Sequence, residues 1–445
     1  MKTLQVITLG CSKNTVDTEH LLYQVRSEYE IVPEGEERDR VDVLLINTCG
    51  FIGDAKEESV NTILTAVAAK QDGRYGKILV FGCLSERYRR ELPGLIPEVD
   101  GWFGARDLAP VVRALGCAPS EEPRRVLTRP GLPYAFLKIS EGCDRHCSYC
   151  AIPLIRGRHR SVPMEKLVEE AEALAAAGVR ELVIIAQDTT FYGLDLYKRR
   201  ALAELLRKLS AVEGIEWLRI HYSYPADFPE DVLEEMATNP KVCRYMDIPL
   251  QHIADSVLSK MRRGADGAWT RDLIRRMREK VPGVALRTTL IVGHPGENYK
   301  DFQELLDFVR EARFERMGAF TYSEEEGTWG AGNLQDKIAQ KTKQRRLDQL
   351  MLLQQEISRD CNAARVGTEV RVLVDAFTDG VLVCRSEFES PEVDGEILVR
   401  YDAQALGGIP PQSLVGTFLR VRIVAADAYD LTADPIGLDD KTRKQ

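Results

Sequence analysis

No apolar run in the 445-residue chain approaches the roughly 20 residues that a membrane-spanning helix needs. The amino terminus, MKTLQVITLG, lacks a leader layout and passes straight into a strand pattern, so nothing directs export and a reducing, cytoplasmic location with no membrane partner is expected. Low-complexity tracts and convincing internal repeats are also missing, and at 44% hydrophobic and 29% charged the composition is that of a chain folded throughout. Nor is there a surplus of positive charge. The formal net charge of -9 argues against a general nucleic-acid binder and favours basic partners. One local basic run, Arg156, Arg158, His159 and Arg160, reads equally well as a solvated face.

Cysteine, by contrast, is plentiful. Ten in a reducing compartment are better read as metal or redox ligands than as disulfides. Three of them end apolar runs: VITLGC at Cys11, VDVLLINTC at Cys49 and LVFGC at Cys83. Adjacent parallel strands lie about 4.8 Å apart, so residues at their carboxyl ends converge even when distant in sequence. Cys11, Cys49 and Cys83 are therefore expected to face one another above a sheet, one thiolate short of a closed tetrahedral site. The bland alternative is three unrelated buried cysteines.

The organisation supports that placement. Residues 1–116 alternate strand patterns (4–9, 41–48, 77–81) with helical ones (16–26, 54–70), as in a Rossmann-like parallel sheet. A stretch rich in proline and charge, 117–133, reads as a linker. Six further strand patterns between residues 134 and 334 (135–139, 181–186, 217–221, 245–248, 285–292, 317–321) predict an open, partial (β/α)6 TIM-like barrel, whose chemistry would sit at the strands' carboxyl ends. Residues 335–364 read as a connecting helix, and 365–435 as a small antiparallel β-barrel. The fold class is α/β.

The strongest local signal is EGCDRHCSYC, in which Cys143, Cys147 and Cys150 have C-x3-C-x2-C spacing directly after a strand. Three thiolates on one loop can hold three irons of a cubane and leave the fourth open to a small molecule. A zinc site completed by His146 or His159 is the alternative. Cys117, Cys243, Cys361 and Cys384 lack partner spacing and read as packing residues, while His20, His221 and His252 read as structural, with His252 able to face a cavity. Ser12 and Asn14 flank Cys11 closely enough to hydrogen-bond its neighbours' sulfurs.

In LGCSKNTVDTE, INTCGFIGDAKEES, FGCLSERY, LKISEGCDRHCSYCAIPLIRGRHRS, DIPLQH, IVGHPGE and YSEEEGT the chain resembles the methylthiotransferases of the radical S-adenosylmethionine superfamily, and its end resembles their TRAM module. The resemblance covers nearly the whole chain. It implies two 4Fe-4S clusters, on Cys11, Cys49 and Cys83 and on Cys143, Cys147 and Cys150, with S-adenosylmethionine on the open iron of the second and Tyr149 near its adenine. Gln187, Asp188, Gly293 and Glu297 are expected to line that pocket. One S-adenosylmethionine would methylate a sulfur and another would supply the radical that opens a C–H bond for methylthio insertion, with no acid or base required. An electron donor and a sulfur source are implied partners.

Two branches of the family compete, one acting on an adenosine in tRNA and one on the β-carbon of an aspartate of ribosomal protein S12. GCSKN, LKIS before the cysteine loop and RLDQLMLLQQEIS resemble the second. The terminal barrel, where Glu369, Asp375, Asp379, Glu387, Glu389, Glu392, Asp394, Glu396, Asp402, Asp427 and Asp430 outnumber arginines, would repel tRNA and attract a basic protein, free or on the ribosomal subunit. RHRSV, His294 and Asn298 depart from the family's usual residues. A cluster-bearing electron carrier without S-adenosylmethionine chemistry is the distant third reading.

Overall fold

The computed structural model describes residues 1–36 and 38–439. Its first sheet is fully parallel, in the order Tyr29–Val32, Lys2–Thr8, Val41–Thr48, Tyr75–Gly82, Gly101–Trp102. The three central strands are those the apolar runs predict. The two edge strands, four and two residues long, are too short to show a period. Helices Ser12–Val25 and Gly53–Gln71 cover opposite faces, burying Leu21, Leu22 and Val25 on one side and Ile63, Ala66 and Val67 on the other.

The stretch 117–133 carries no regular element, yet it is pinned rather than free. Val126 N–H donates to the Glu19 carbonyl at 3.1 Å, and the Arg125 guanidinium, buried, lies 3.2 Å from both Glu19 and Glu170. It acts as a strap across the first helix.

Six parallel strands follow in sequence order: Tyr134–Lys138, Glu181–Ile185, Trp217–Ile220, Val242–Asp247, Ala285–Val292 and Arg316–Thr321. Each pairs with its predecessor, so all six carboxyl ends open onto one rim, as a partial (β/α)6 barrel requires. Asn298, at a position where the family usually differs, caps helix Tyr299–Ala312 by accepting from the N–H groups of Lys300 and Asp301. The long helix runs Gln340–Ala363 and begins later than residue 335, because Asp336 accepts from Ile338 N–H and holds that segment as a turn.

The last five strands close into a barrel in the order Glu369–Thr378, Val381–Arg385, Ile397–Arg400, Leu431–Leu438, Phe418–Ala426. It is not wholly antiparallel. The long return after Arg400 crosses the barrel before Phe418–Ala426, whose hairpin partner Leu431–Leu438 then runs parallel to Ile397–Arg400. That last strand is hidden from sequence reading by Pro435, which sits beside a register shift where its missing N–H does no harm.

The barrel docks on the amino ends of the central strands. Trp217, first in its strand, meets Phe418 edge to face at 4.9 Å, amid Cys243, Tyr245, Ala285 and Leu373. Loop 386–394 then reaches up inside the central barrel: Arg219 donates to the Glu387 carbonyl at 2.7 Å, Arg316 pairs with Glu389 at 3.0 Å and Tyr245 donates to Asp394 at 2.7 Å. Beneath it Glu181, fully buried, bridges Arg219 at 2.6 Å and Arg385 at 2.7 Å. Removing one member of such a set strands charge in a dry interior. Glu181→Ala is expected to cost about 3–5 kcal/mol, read as a lowered urea midpoint with the Trp217 fluorescence transition as the probe.

Candidate functional site

The first cysteine triad follows from strand register. Thr8 pairs with Asn47 and Thr48 with Gly82, so Cys49 and Cys83 emerge side by side and Cys11 lies on the adjoining turn. Gly10, at φ +92°, must be glycine: a Cβ there would stand 2.7 Å from Cys49 Cβ and 2.9 Å from its Sγ. The Ser59 hydroxyl fixes the Cys49 backbone from both sides, accepting from its N–H at 3.0 Å and donating to its carbonyl at 2.8 Å. Asn14 does hydrogen-bond a cysteine sulfur, as an acceptor: its Oδ1 accepts from the Cys83 thiol at 3.8 Å. Its amide nitrogen ties the Leu9 and Thr48 carbonyls together at 2.7 and 3.2 Å, holding two strand ends in place.

The second triad sits on a loop clipped at its base by the short antiparallel pair Ser140–Glu141 and Arg160–Ser161. Cys143 N–H donates to the Gly157 carbonyl at 3.1 Å, and Gly142, at φ +77°, lets the backbone pass where a Cβ would strike Gly157 and Arg158. Tyr224, after the third barrel strand, places its hydroxyl 3.7 Å from Cys147 Sγ. His159 turns away from the cysteines, its Nε2 lying 3.0 Å from Ser161 Oγ and 3.6 Å from Asp195. Among the described residues no three His, Cys, Asp or Glu side chains are gathered as a site for a single metal ion.

Between the triads runs a buried polar network. Arg156, 4% exposed, donates to Cys83 Sγ at 3.3 Å, to Asn14 Oδ1 at 2.5 Å, to Asp17 at 2.6 Å and to Glu141 at 3.1 Å. Lys138 pairs with Asp17 and, at 2.8 Å, with Glu141. One end of the basic run is therefore the bridge between the two halves, and only Arg158 and Arg160 are solvated. A second arginine that sequence reading passed over, Arg263, is buried with Nη1 3.5 Å from Cys147 Sγ and 3.4 Å from the Tyr149 hydroxyl. Glu325, in YSEEEGT, adds a further tie by pairing with Arg87 at 2.7 Å and Lys56 at 3.0 Å. Burial pushes the free thiols up, Cys83 to about 11 and Cys143 and Cys150 to about 12, with Arg156 opposing the rise at Cys83.

The other expected residues gather at the barrel mouth. Tyr149 packs on Ala254, Val257 and Met261, with its ring edge-on to His294. Gln187 donates to Glu141 at 2.6 Å and leaves its buried Oε1 without a partner. Asp188 accepts from Arg145 at 2.8 Å and from Thr190. Glu297 accepts from the N–H groups of Gly293 and His294 and pairs with Arg346 at 2.8 Å, so it shapes that turn against the long helix. Buried polar atoms without partners cluster on the same rim: Ser140 Oγ, Ser223 Oγ, His252 Nε2, His294 Nε2 and Tyr322 hydroxyl. Buried polar groups are normally paired, so this group of orphans is where a polar ligand would find donors and acceptors. The remaining cysteines pack as expected, Cys243 and Cys384 in cores and Cys117 and Cys361 against them.

The chain matches the Radical SAM superfamily over residues 137–309, the uncharacterized protein family UPF0004 over 3–104 and the TRAM domain over 366–436. It is 52% identical over 433 residues to the ribosomal protein uS12 methylthiotransferase RimO of Porphyromonas gingivalis, covering 97% of this chain and 98% of that one. The chain belongs to the RimO family. Its counterpart in Flavobacterium johnsoniae is 50% identical over the same shares of both chains. Among solved structures the fold is similar to the radical S-adenosylmethionine methyltransferase TsrM of Kitasatospora setae (TM-score 0.53, 15% identity, 72% of this chain and 75% of that one). It is also similar to the cobalamin-dependent radical enzyme OxsB (TM-score 0.51, 12% identity, 80% and 56%).

Both donor sets in this RimO-family chain fit the clusters its family uses: three thiols each, one guanidinium on a sulfur of each, and a rim of unpartnered polar atoms beside the second for S-adenosylmethionine. Three histidines that the rim shelters are held neutral by burial, His221 pushed down to about 4, His252 to about 3 and His294 to about 4. Because their folded values lie below the unfolded value near 6.5, the unfolded chain takes up protons first as pH falls, and stability is lost from about pH 6.5 downward. The urea midpoint is expected to drop between pH 7 and pH 5, and His294→Phe to make that drop smaller.

Proposed function

We propose that the protein is a methylthiotransferase that inserts a methylthio group at the β-carbon of an aspartate of ribosomal protein S12. The observation that carries this reading is the joining of two cysteine triads by one buried arginine, Arg156, which sets the first triad against the loop that bears the second. Relatives about half identical over almost their entire length bear that name, which supports the choice of S12.

Cys11, Cys49 and Cys83 hold one cluster; Cys143, Cys147 and Cys150 hold the other. When bound, the clusters and S-adenosylmethionine supply the electron, the hydrogen-abstracting nucleoside radical and the methylated sulfur. The chain's own residues bind and orient. Tyr149, Gln187, Asp188 and the turn at Gly293 and Glu297 form the walls of the S-adenosylmethionine pocket, and Arg263 and Arg156 stabilise thiolate charge at Cys147 and Cys83. Loop 386–394 packs against the central barrel from below, and the rim that carries the cysteine loop is the end left to the substrate. An electron donor and a sulfur source act as outside partners, and a ribosomal substrate places the work in the cytoplasm.

The acidic terminal barrel supports S12 less than its composition implies. Glu369, Asp375, Glu387, Glu389, Glu392 and Asp394 pair with Arg420 and Arg422, Arg385, Arg244, Arg316, Arg129 and Arg287, which leaves Asp379, Glu396, Asp402, Asp427 and Asp430 outside ion pairs among the described residues.

The deciding experiment is anaerobic. The reconstituted protein with S-adenosylmethionine, reductant and sulfide is offered S12 and tRNA separately, and each is weighed by mass spectrometry. A gain of one methylthio group on an S12 aspartate is expected. Cys49→Ala should keep 5′-deoxyadenosine formation and lose the product, Cys147→Ala should lose both, and each variant should bind about half the iron. A methylthio gain on tRNA with S12 untouched would sink the reading.

A further inference from the structure

Lys13 stands two residues after Cys11, in the first turn of helix Ser12–Val25, and is 8% exposed. Its ammonium rests 3.2 Å from the centroid of the Tyr222 ring, and among the described residues no carboxylate lies within ion-pair distance of it. Its neighbours are treated differently: Lys138 and Arg156 share Asp17 and Glu141. A buried ammonium that only an aromatic face covers is expensive to keep, and such a charge persists where an anion completes the site.

The surroundings of Lys13 point to where that anion sits. Tyr222 holds a left-handed backbone, φ 59°, fixed by its N–H on Asp247 at 2.9 Å and its carbonyl under Thr189 N–H at 3.1 Å. Backbone strain of this kind gathers at functional sites. Two residues on, Tyr224 reaches Cys147 Sγ, so a single loop runs from the ammonium beside Cys11 to a sulfur of the second triad. Between them Ser223 Oγ is buried without a partner, and Arg145, stacked 3.9 Å over the Tyr224 ring, has a buried Nη2 also without one. Three donors thus lie along the loop 222–224: Lys13 on Tyr222, Ser223 itself, and Arg145 on Tyr224.

We propose that Lys13, assisted by Ser223 and Arg145, binds the side-chain carboxylate of the substrate aspartate and sets its β-carbon between the two cysteine triads. This rests on the reading of S12 as substrate. The carbon to be modified is bonded directly to the carboxylate carbon, so a cation holding that group fixes the reacting centre within one bond. Hydrogen-atom abstraction leaves the carboxylate charge unchanged, so Lys13 holds ground and transition states alike and its loss falls on KM rather than kcat. An adenine base offers no anion at that point.

The test uses the reconstituted holoenzyme and two probes, full-length S12 and S12 with its target aspartate replaced by asparagine. Wild type is expected to bind the aspartate form at least about tenfold more tightly. Lys13→Gln should bring the ratio of dissociation constants to about one by weakening the aspartate form alone, and should raise KM for S12 by a similar factor, whereas Lys13→Arg should keep the preference. Iron content measured on each variant normalises for loading. A Lys13→Gln enzyme that retains the wild-type ratio overturns the proposal, as does a rise in its Kd for S-adenosylmethionine with the ratio unmoved, or equal binding of both probes by wild type. Wild type that neither binds nor modifies S12 overturns the substrate reading itself, an outcome distinct from all of these.

Discussion

A guanidinium that water cannot reach has to be neutralised by carboxylates, and Arg156 finds its two on different halves of the molecule: Asp17 on the first helix of the amino-terminal sheet and Glu141 at the base of the second cysteine loop. Lys138 shares both acids, so two cations and two anions form a closed set with Asn14 and Cys83 at its edge. Such a set gains little net stability over well-packed apolar residues, because desolvating four charges offsets most of their attraction. What it fixes is geometry. Burial alone would raise the Glu141 carboxyl, but Lys138 and Arg156 outweigh it and hold the group down to about 2, so Glu141 stays ionised throughout the physiological range. A half-turn of one domain against the other would take Asp17 away from both Lys138 and Arg156 and leave a buried carboxylate without a cation, and that penalty holds the triads in register.

The same guanidinium meets a second need. Buried thiols resist ionisation, yet a metal ligand has to be a thiolate. Arg156 on Cys83 and Arg263 on Cys147 place one positive group on a sulfur of each triad, and Arg263, like Arg156, is held by other contacts, donating to the Pro249 carbonyl at 2.5 Å and stacking 4.2 Å over Tyr224. Donors to the sulfurs also tune cluster potential, so the two arginines act on how readily each cluster passes an electron as well as on how it is held.

What the sequence makes legible is whatever depends on local period and spacing. Apolar runs ending on Cys11, Cys49 and Cys83 place one triad, since parallel register does the rest, and the spacing of Cys143, Cys147 and Cys150 places the other. Arg156 is illegible for the opposite reason: its partners Asp17 and Asn14 lie 139 and 142 residues away, and in sequence it merges with Arg158 and Arg160 into an ordinary basic run. Arg263, in MRRG, carries no local mark at all. The terminal barrel misleads by composition, because a count of acids cannot distinguish Glu389, buried against Arg316, from Asp379 in water. Its last strand is concealed by Pro435, which a bulge tolerates and a propensity does not.

The distribution of satisfied and unsatisfied groups divides the central barrel into two ends. At the amino ends of the strands, Glu181, Arg219, Arg385, Arg316 and Glu389 are buried in ion pairs with loop 386–394 laid across them, and one nitrogen, Arg316 Nε, stays unpartnered beside a cavity lined by Arg287, Asp394 and Gly395. At the carboxyl ends the same kind of burial leaves Gln187, Ser223, His252 and His294 each with a polar atom that makes no hydrogen bond among the described residues. A fold selected for stability alone would have closed both ends in the same way, since each orphaned buried group costs about 1–3 kcal/mol. Ion pairs and the aromatic contact of Trp217 on Phe418 brace the barrel from below and so offset part of the cost of the orphaned polar groups on the rim beside the two cysteine triads.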